Sequence, residues 1–152
     1  MDEVLDKYEP LFTIGVIARL LKVSVQVIRL YEKEGLILPY KTDSRRRFYS
    51  YHDLERLKCI RQMLGDKGLN LSGIRKIFAL IPCWHYRGGL NEDCKTCPAY
   101  TQSNGPCWSL KNVGGKCTDT DCRQCNVYRM EFSCEKLKDI FYHGNQFKSS
   151  TN

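Results

Sequence analysis

The chain has 152 residues, 42% of them hydrophobic and 11% aromatic, enough for one domain with an appendage and too apolar for a wholly disordered chain. Its 24 Lys and Arg against 17 Asp and Glu leave a formal charge of +7, unevenly spread. Residues 1–10 carry one Lys against four acids, residues 11–80 carry 14 basic side chains against 6 acidic, and residues 81–152 carry 9 against 7. The basic excess belongs to the first folded segment and points to an anionic partner such as nucleic acid. No apolar run approaches the roughly 20 residues that span a bilayer, and the acidic start MDEVLDKYEP has no signal-peptide pattern. A cytoplasmic protein without membrane contact is expected.

After an N-terminal arm over 1–10, helical periodicity governs residues 11–81. Ile14, Ile17, Leu20 and Leu21 define a first short helix; Ser24 is a suitable N-cap for a second, through Val27, Ile28 and Tyr31, which Gly35 stops. Two short helices joined by a tight turn make a helix-turn-helix. In LILPYKTDSRRRFYS, Pro39 forbids a helix and Thr42-Asp43-Ser44 supply turn chemistry, so a two-stranded wing is expected. A third helix follows from Tyr51 to Asp66 with Ser50 as cap and Gly68 as its end, and a fourth from Ser72 as cap to a stop at Pro82.

Residues 82–125 show no sustained period, and Gly, Pro, Asn, Asp and Cys dominate, so cross-links must hold them. Seven of the nine cysteines lie here: Cys83, Cys94, Cys97, Cys107, Cys117, Cys122 and Cys125. An odd number of cysteines without a signal peptide favours metal or cluster ligation over a disulfide framework. Two C-x-x-C pairs, Cys94/Cys97 and Cys122/Cys125, can each turn two thiolates toward one metal. Cys59 and Cys134 stand outside the cluster and read as packing residues. His85, next to Trp84, is a minor ligand candidate, whereas His52 and His143 sit at helix ends. From Arg123 the period returns as Val127, Met130, Cys134, Leu137 and Phe141, a heptad seam that predicts a dimerisation helix over 126–143 with a frayed tail over 144–152.

The run FTIGVIARLLKVSVQVIRLYEKEGLILPYK, followed by RRRFYSYHDLERLKCIRQMLGDKGLNLSGIRKIF, resembles the DNA-binding domain of MerR-type bacterial transcription regulators. The likeness covers about half the chain. It rests on the first helix IGVIARLL, the ending RLYEKEGL, Pro39 with Lys41, an Arg-rich wing and the run from Tyr49 to Leu54. Leu30 stands where that family usually has the first of two tyrosines, and Arg45-Arg46 replace its Gly-Tyr at the wing tip. A second helix in the major groove presents its first turns to base edges, which makes Val25 and Gln26 the base-reading candidates, with Ser24 also among the expected DNA-binding residues. Arg29, Tyr31, Lys41, Arg45, Arg46, Arg47 and Tyr49 are expected on phosphate and sugar. The resemblance implies a homodimer on double-stranded promoter DNA that bends and untwists its site for RNA polymerase.

The wording CW, CKTCPAY, PCW and C…CRQCNVY is similar to the two-CW module of bacterial sensory proteins. Seven thiols exceed one tetrahedral zinc site and suit an iron–sulfur cluster, with zinc as the alternative and oxidative disulfides as a third. The expected fold is mainly α: a winged helix-turn-helix, a cysteine-rich metal-stabilised module and a C-terminal dimerisation helix. The expected function is a regulator that senses redox state, a gas or metal through the cluster. Alternatives are a structural zinc module with another signal, a redox carrier or metal-handling protein, or an architectural DNA-binding protein. The chain has no phosphate-cradling glycine loop, nucleophile elbow or paired-carboxylate motif, so no enzyme is expected.

Overall fold

The computed structural model describes residues 5–114, 117, 121–130 and 134–138. Helix α1 (Ile14–Leu21) starts where the Thr13 hydroxyl accepts the Val16 amide, and buries Ile17, Ala18 and Leu21 on one face. Lys22, at φ 56°, turns the chain sharply into helix α2 (Val25–Lys33), which Ser24 caps at the Val27 amide. Ile28 and Tyr31 face inward. Gly35, at φ +74°, ends this helix as its position predicts.

Three short antiparallel strands follow the order β1 (Phe12–Thr13), β3 (Arg47–Tyr49), β2 (Tyr40–Lys41). Phe12 pairs with Tyr49, and Tyr40 with Phe48. The expected two-stranded hairpin is therefore the outer part of a three-stranded sheet, whose extra strand is too short to show a period of two. Helix α3 (Tyr51–Gly65) opens on a reciprocal capping box: Ser50 Oγ accepts from the Asp53 amide at 3.1 Å, and Asp53 Oδ2 from the Ser50 amide at 2.8 Å. It drives Leu54, Leu57, Ile60 and Met63 into the core. Helix α4 (Leu71–Ala79) is capped by Asn70, whose Oδ1 accepts the Gly73 amide at 2.7 Å; Ser72 lies within the helix instead.

Beyond Ile81 the chain winds through three one-turn helices, α5 (Cys83–Tyr86), α6 (Glu92–Thr96) and α7 (Pro98–Thr101), and tight turns at Cys107–Ser109 and Cys122–Gln124. The dimerisation helix over 126–143 does not form in its described part: residues 126–129 are turns and residues 134–138 bends and turns. Val127 and Met130, expected in an intermolecular seam, are buried in the core of their own chain, and Leu137 packs against it. Cys134 is disulfide-bonded to Cys59 of α3, so the two read as packing residues are a cross-link. Phe141 and His143 lie outside the described residues. Tertiary attachment of Val127, Tyr128 and Cys134 to the first half outweighs the local 3,4,3,4 spacing.

Candidate nucleic-acid interface and cysteine centre

Arg29 from α2 and Arg45, Arg46 and Arg47 from the hairpin converge with Thr13 and Ile14 on an open cavity of about 200 Å³. Guanidiniums gathered on one concave face can hold phosphate oxygens, because each offers a planar fork of donors. Arg45 sits at the hairpin turn with φ 63°, and the Arg46 guanidinium lies 5.7 Å from the Phe48 ring centre. Lys41 is exposed on β2. Gln26 is exposed and Val25 half-exposed on the first turn of α2, where a groove-bound helix meets base edges. The Ser24 hydroxyl is occupied as the cap of that helix.

Two expected backbone contacts fall elsewhere. Tyr31 is 3% and Tyr49 0% exposed, so both are core aromatics. The Tyr49 hydroxyl donates to Glu32, and burial with that carboxylate raises its pKa. Glu32 also pairs with Arg47 Nε at 2.8 Å. Arg47 thereby joins α2 to β3, while Arg45 and Arg46 are the exposed guanidiniums of the hairpin. Nothing in the spacing of Glu32 from Arg47 and Tyr49 marks this bridge, which only the three-dimensional pairing of α2 with β3 creates. Tyr40, exposed beside Lys41, is a surface aromatic that the sequence reading passed over.

The seven cysteines of the second half surround two adjoining cavities. One, of about 20 Å³, is lined by Cys83, Cys107, Cys117, Cys122 and Cys125 under an apolar wall of Trp108, Val113, Val127 and Tyr128. The other, of about 40 Å³, is lined by Cys83, Cys94, Cys97 and Cys117 with Trp84, Arg87 and Tyr100. Cys83 and Cys117 belong to both. Burial, then the neighbouring thiols, pushes Cys83 up to about 11 and raises Cys107 and Cys122 as well, so these sulfurs stay protonated at neutral pH unless a metal displaces the proton. Among the described residues no group of three Cys, His, Asp or Glu side chains is placed to hold one metal ion. The donor set is nonetheless wholly thiol, the chemistry of soft metals and iron–sulfur clusters. His85 lines neither cavity, and its Nδ1 is buried without a hydrogen-bond partner among the described residues.

The cysteine half is docked on the first half through polar contacts that run from the buried Trp108 to exposed lysine and arginine bonds. Trp108 Nε1 donates to the Gly35 carbonyl at 2.8 Å. Arg75 Nε donates to the Asn104 carbonyl at 2.6 Å and Nη1 to the Glu34 carbonyl, while Lys76 Nζ reaches the Ser103 carbonyl at 2.7 Å. The Arg56 guanidinium is enclosed by Tyr128, Trp108 and Phe78, with ring centres 4.4, 5.1 and 5.8 Å away. Gly35 is fixed twice over: a Cβ there would lie 2.4 Å from Ser109 Cβ, besides the positive φ. The end of α2 is therefore in direct contact with the turn that carries Cys107 and Trp108.

A helix-turn-helix with a basic hairpin, packed beside a cluster of thiols, has the architecture of a DNA-binding module with an appended cysteine-rich segment. Residues 12–80 match the family described as MerR HTH family regulatory protein. Its relatives include the HTH-type transcriptional regulator GlnR of Bacillus anthracis and of Bacillus cereus, each 38% identical over 71 residues, covering 47% of this chain and 54% of theirs. HspR of Streptomyces coelicolor is 39% identical over 71 residues, covering 47% of each chain. The chain thus spans about half the length of the curated relatives it matches. The family match stops at residue 80, before the first cysteine of the cluster.

Proposed function

We propose that this protein is a transcription regulator that binds promoter DNA through residues 12–80 and reads a chemical signal at its cysteine centre. The observation that carries the first part is the convergence of Arg29, Arg45 and Arg46 beside the first turn of α2, where Gln26 is exposed. The second part is supported by seven thiols around two cavities that share Cys83 and Cys117. Thiols spread over two cavities suit a polynuclear centre, in which bridging atoms separate the protein sulfurs, better than one compact tetrahedral ion. An iron–sulfur cluster is the reading we adopt. Zinc held as a structural clip is the second reading, favoured by the small size of both cavities.

In the DNA complex two copies occupy related half-sites, and a change at the centre alters how the hairpins grip and bend the duplex for RNA polymerase. Contacts between copies are assigned to surfaces other than Val127 and Met130. A DNA-binding regulator works beside the chromosome, in the cytoplasm, and no described helix is long and apolar enough to cross a membrane. Selection from random duplex DNA is the test. The protein purified without oxygen enriches a two-fold related sequence, and removing iron with a chelator changes its affinity at least tenfold. Enrichment of no sequence, or an affinity indifferent to the centre, overturns the respective half of the proposal.

A further inference from the structure

Arg123 stands inside the Cys122-x-x-Cys125 pair, so the backbone that presents those two thiols also aims this guanidinium. Its Nη2 pairs with Asp53 Oδ2 at 3.0 Å, and its Nη1 donates to the Leu38 carbonyl. Three residues past Cys125, the Tyr128 hydroxyl donates to Asp53 Oδ1 at 2.8 Å and accepts the Leu38 amide at 2.9 Å. Asp53 is 0% exposed, and its Oδ2 also accepts the Ser50 amide in the capping box of α3. Leu38 lies just before the DNA-side hairpin and Ser50 just after it. Both ends of the segment bearing Lys41, Arg45, Arg46 and Arg47 are thus tied to residues flanking Cys125, Leu38 directly by Arg123 and Tyr128 and Ser50 through the buried Asp53 carboxylate.

We infer that Arg123 and Tyr128 are positioning residues that transmit the state of the cysteine centre to the hairpin over 40–49 by way of Leu38 at one end and Asp53 at the other. The inference rests on the proposed function, and names how its two halves communicate. With Cys122 and Cys125 ligated, the turn between them is fixed and Arg123 stays against Asp53. When the ligands are released, residues 122–128 lose that constraint. A buried carboxylate deprived of its cation is unfavourable, so Asp53 and the Ser50 amide it holds must rearrange, while Leu38 loses its own bonds to Arg123 and Tyr128. A two-state element at the base of the hairpin is then biased by the distant thiols.

The test compares wild type, Arg123→Gln and Tyr128→Phe, each purified without oxygen and measured before and after chelation. Iron and zinc content, amide exchange over residues 36–50, and affinity for the duplex enriched by the wild type are read on every sample. On chelation, wild type is expected to exchange at least tenfold faster over 36–50 and to change DNA affinity at least tenfold. Both variants, with metal retained, should show the fast exchange before chelation, and their affinities should change less than threefold on it. Variants that retain metal and keep the wild-type dependence in exchange and affinity overturn the inference alone. Should Arg123→Gln fail to fold, Tyr128→Phe, which removes one oxygen and keeps the ring, decides the matter. Wild type with neither iron nor zinc overturns the cofactor reading and the inference together. Wild type whose metal leaves DNA affinity unaffected overturns the sensing reading, and the exchange data still judge the coupling.

Discussion

The two halves of this molecule reach order by different means. Over residues 12–80, apolar side chains recur at helical spacing, each long helix has a side-chain cap, and Ile17, Ile28, Leu57, Ile60, Met63 and Ile74 close a continuous core. Among the described residues of 83–130, one-turn helices and turns contribute few buried side chains, chiefly Trp108, Val127, Tyr128 and Met130, and these complete the core of the first half. The first half has the apolar surface to fold by burial. On the proposed function, the second half depends on what its thiols bind and on the platform beneath it, and is the more responsive half.

The comparison breaks most visibly if the thiols are removed. Replacing Cys107, Cys122 and Cys125 by Ser should abolish metal binding and unfold residues 83–130, a loss on the order of 10 kcal/mol of metal-linked folding energy. Limited proteolysis should then cut there while residues 12–80 survive. If both halves unfold together, the platform is less independent than its core indicates. A smaller effect is expected where the halves touch: Gly35→Ala introduces a left-handed alanine and a clash with Ser109, which should cost about 2–3 kcal/mol in thermal or denaturant unfolding.

Within the first half, Arg45→Ala with Arg46→Ala should weaken DNA binding about 10–100-fold across sequences and reduce the salt slope by about 2. Arg47→Ala should instead act through stability, since Arg47 is paired with Glu32; anisotropy titrations over a salt series separate the two. His52, packed between Tyr8 and Tyr128 with Arg56, Asp53 and Lys7 as charged neighbours, is driven down to about 4 by burial and then by Arg56. The unfolded chain then binds more protons than the folded one between about pH 6.5 and 4. Stability is complete above that window and falls through it by about 1–2 kcal/mol, discounted for partial access to water. His52→Gln should flatten this part of the pH–stability curve. Asn70→Ala should cost about 1 kcal/mol by removing the cap of α4, and Ser72→Ala almost nothing.

The contrast between halves also decides what could be read in the sequence. Helices α1 to α3 were legible because Ile14 to Leu21 carry a period, and Ser24 to Gly35 and Ser50 to Gly68 carry period, cap and stop together. Asn70 and Ser72 are both good caps two residues apart, and only the bond to the Gly73 amide separates them. The two-residue β1 offers no period at all. Among site residues, Arg29, Arg45 and Arg46 were legible from charge, whereas Tyr31 and Tyr49 needed burial to be recognised as core. Val127, Met130 and Cys134 misled because a seam and an intramolecular core both require apolar side chains at similar intervals. The Cys59–Cys134 link joins positions 75 apart, and the Arg123–Asp53 pair joins positions 70 apart; neither has a local signature.

The central claim, that the second half is ordered around a thiol-held centre, meets its most direct test in the composition of the protein as purified without oxygen. Iron, inorganic sulfide and zinc would be measured per chain, together with the visible absorption spectrum. The account predicts iron and sulfide with a broad visible band, bleached by chelation along with the order of residues 83–130. Colourless protein with neither iron nor zinc, and residues 83–130 still protected from proteolysis, would contradict it.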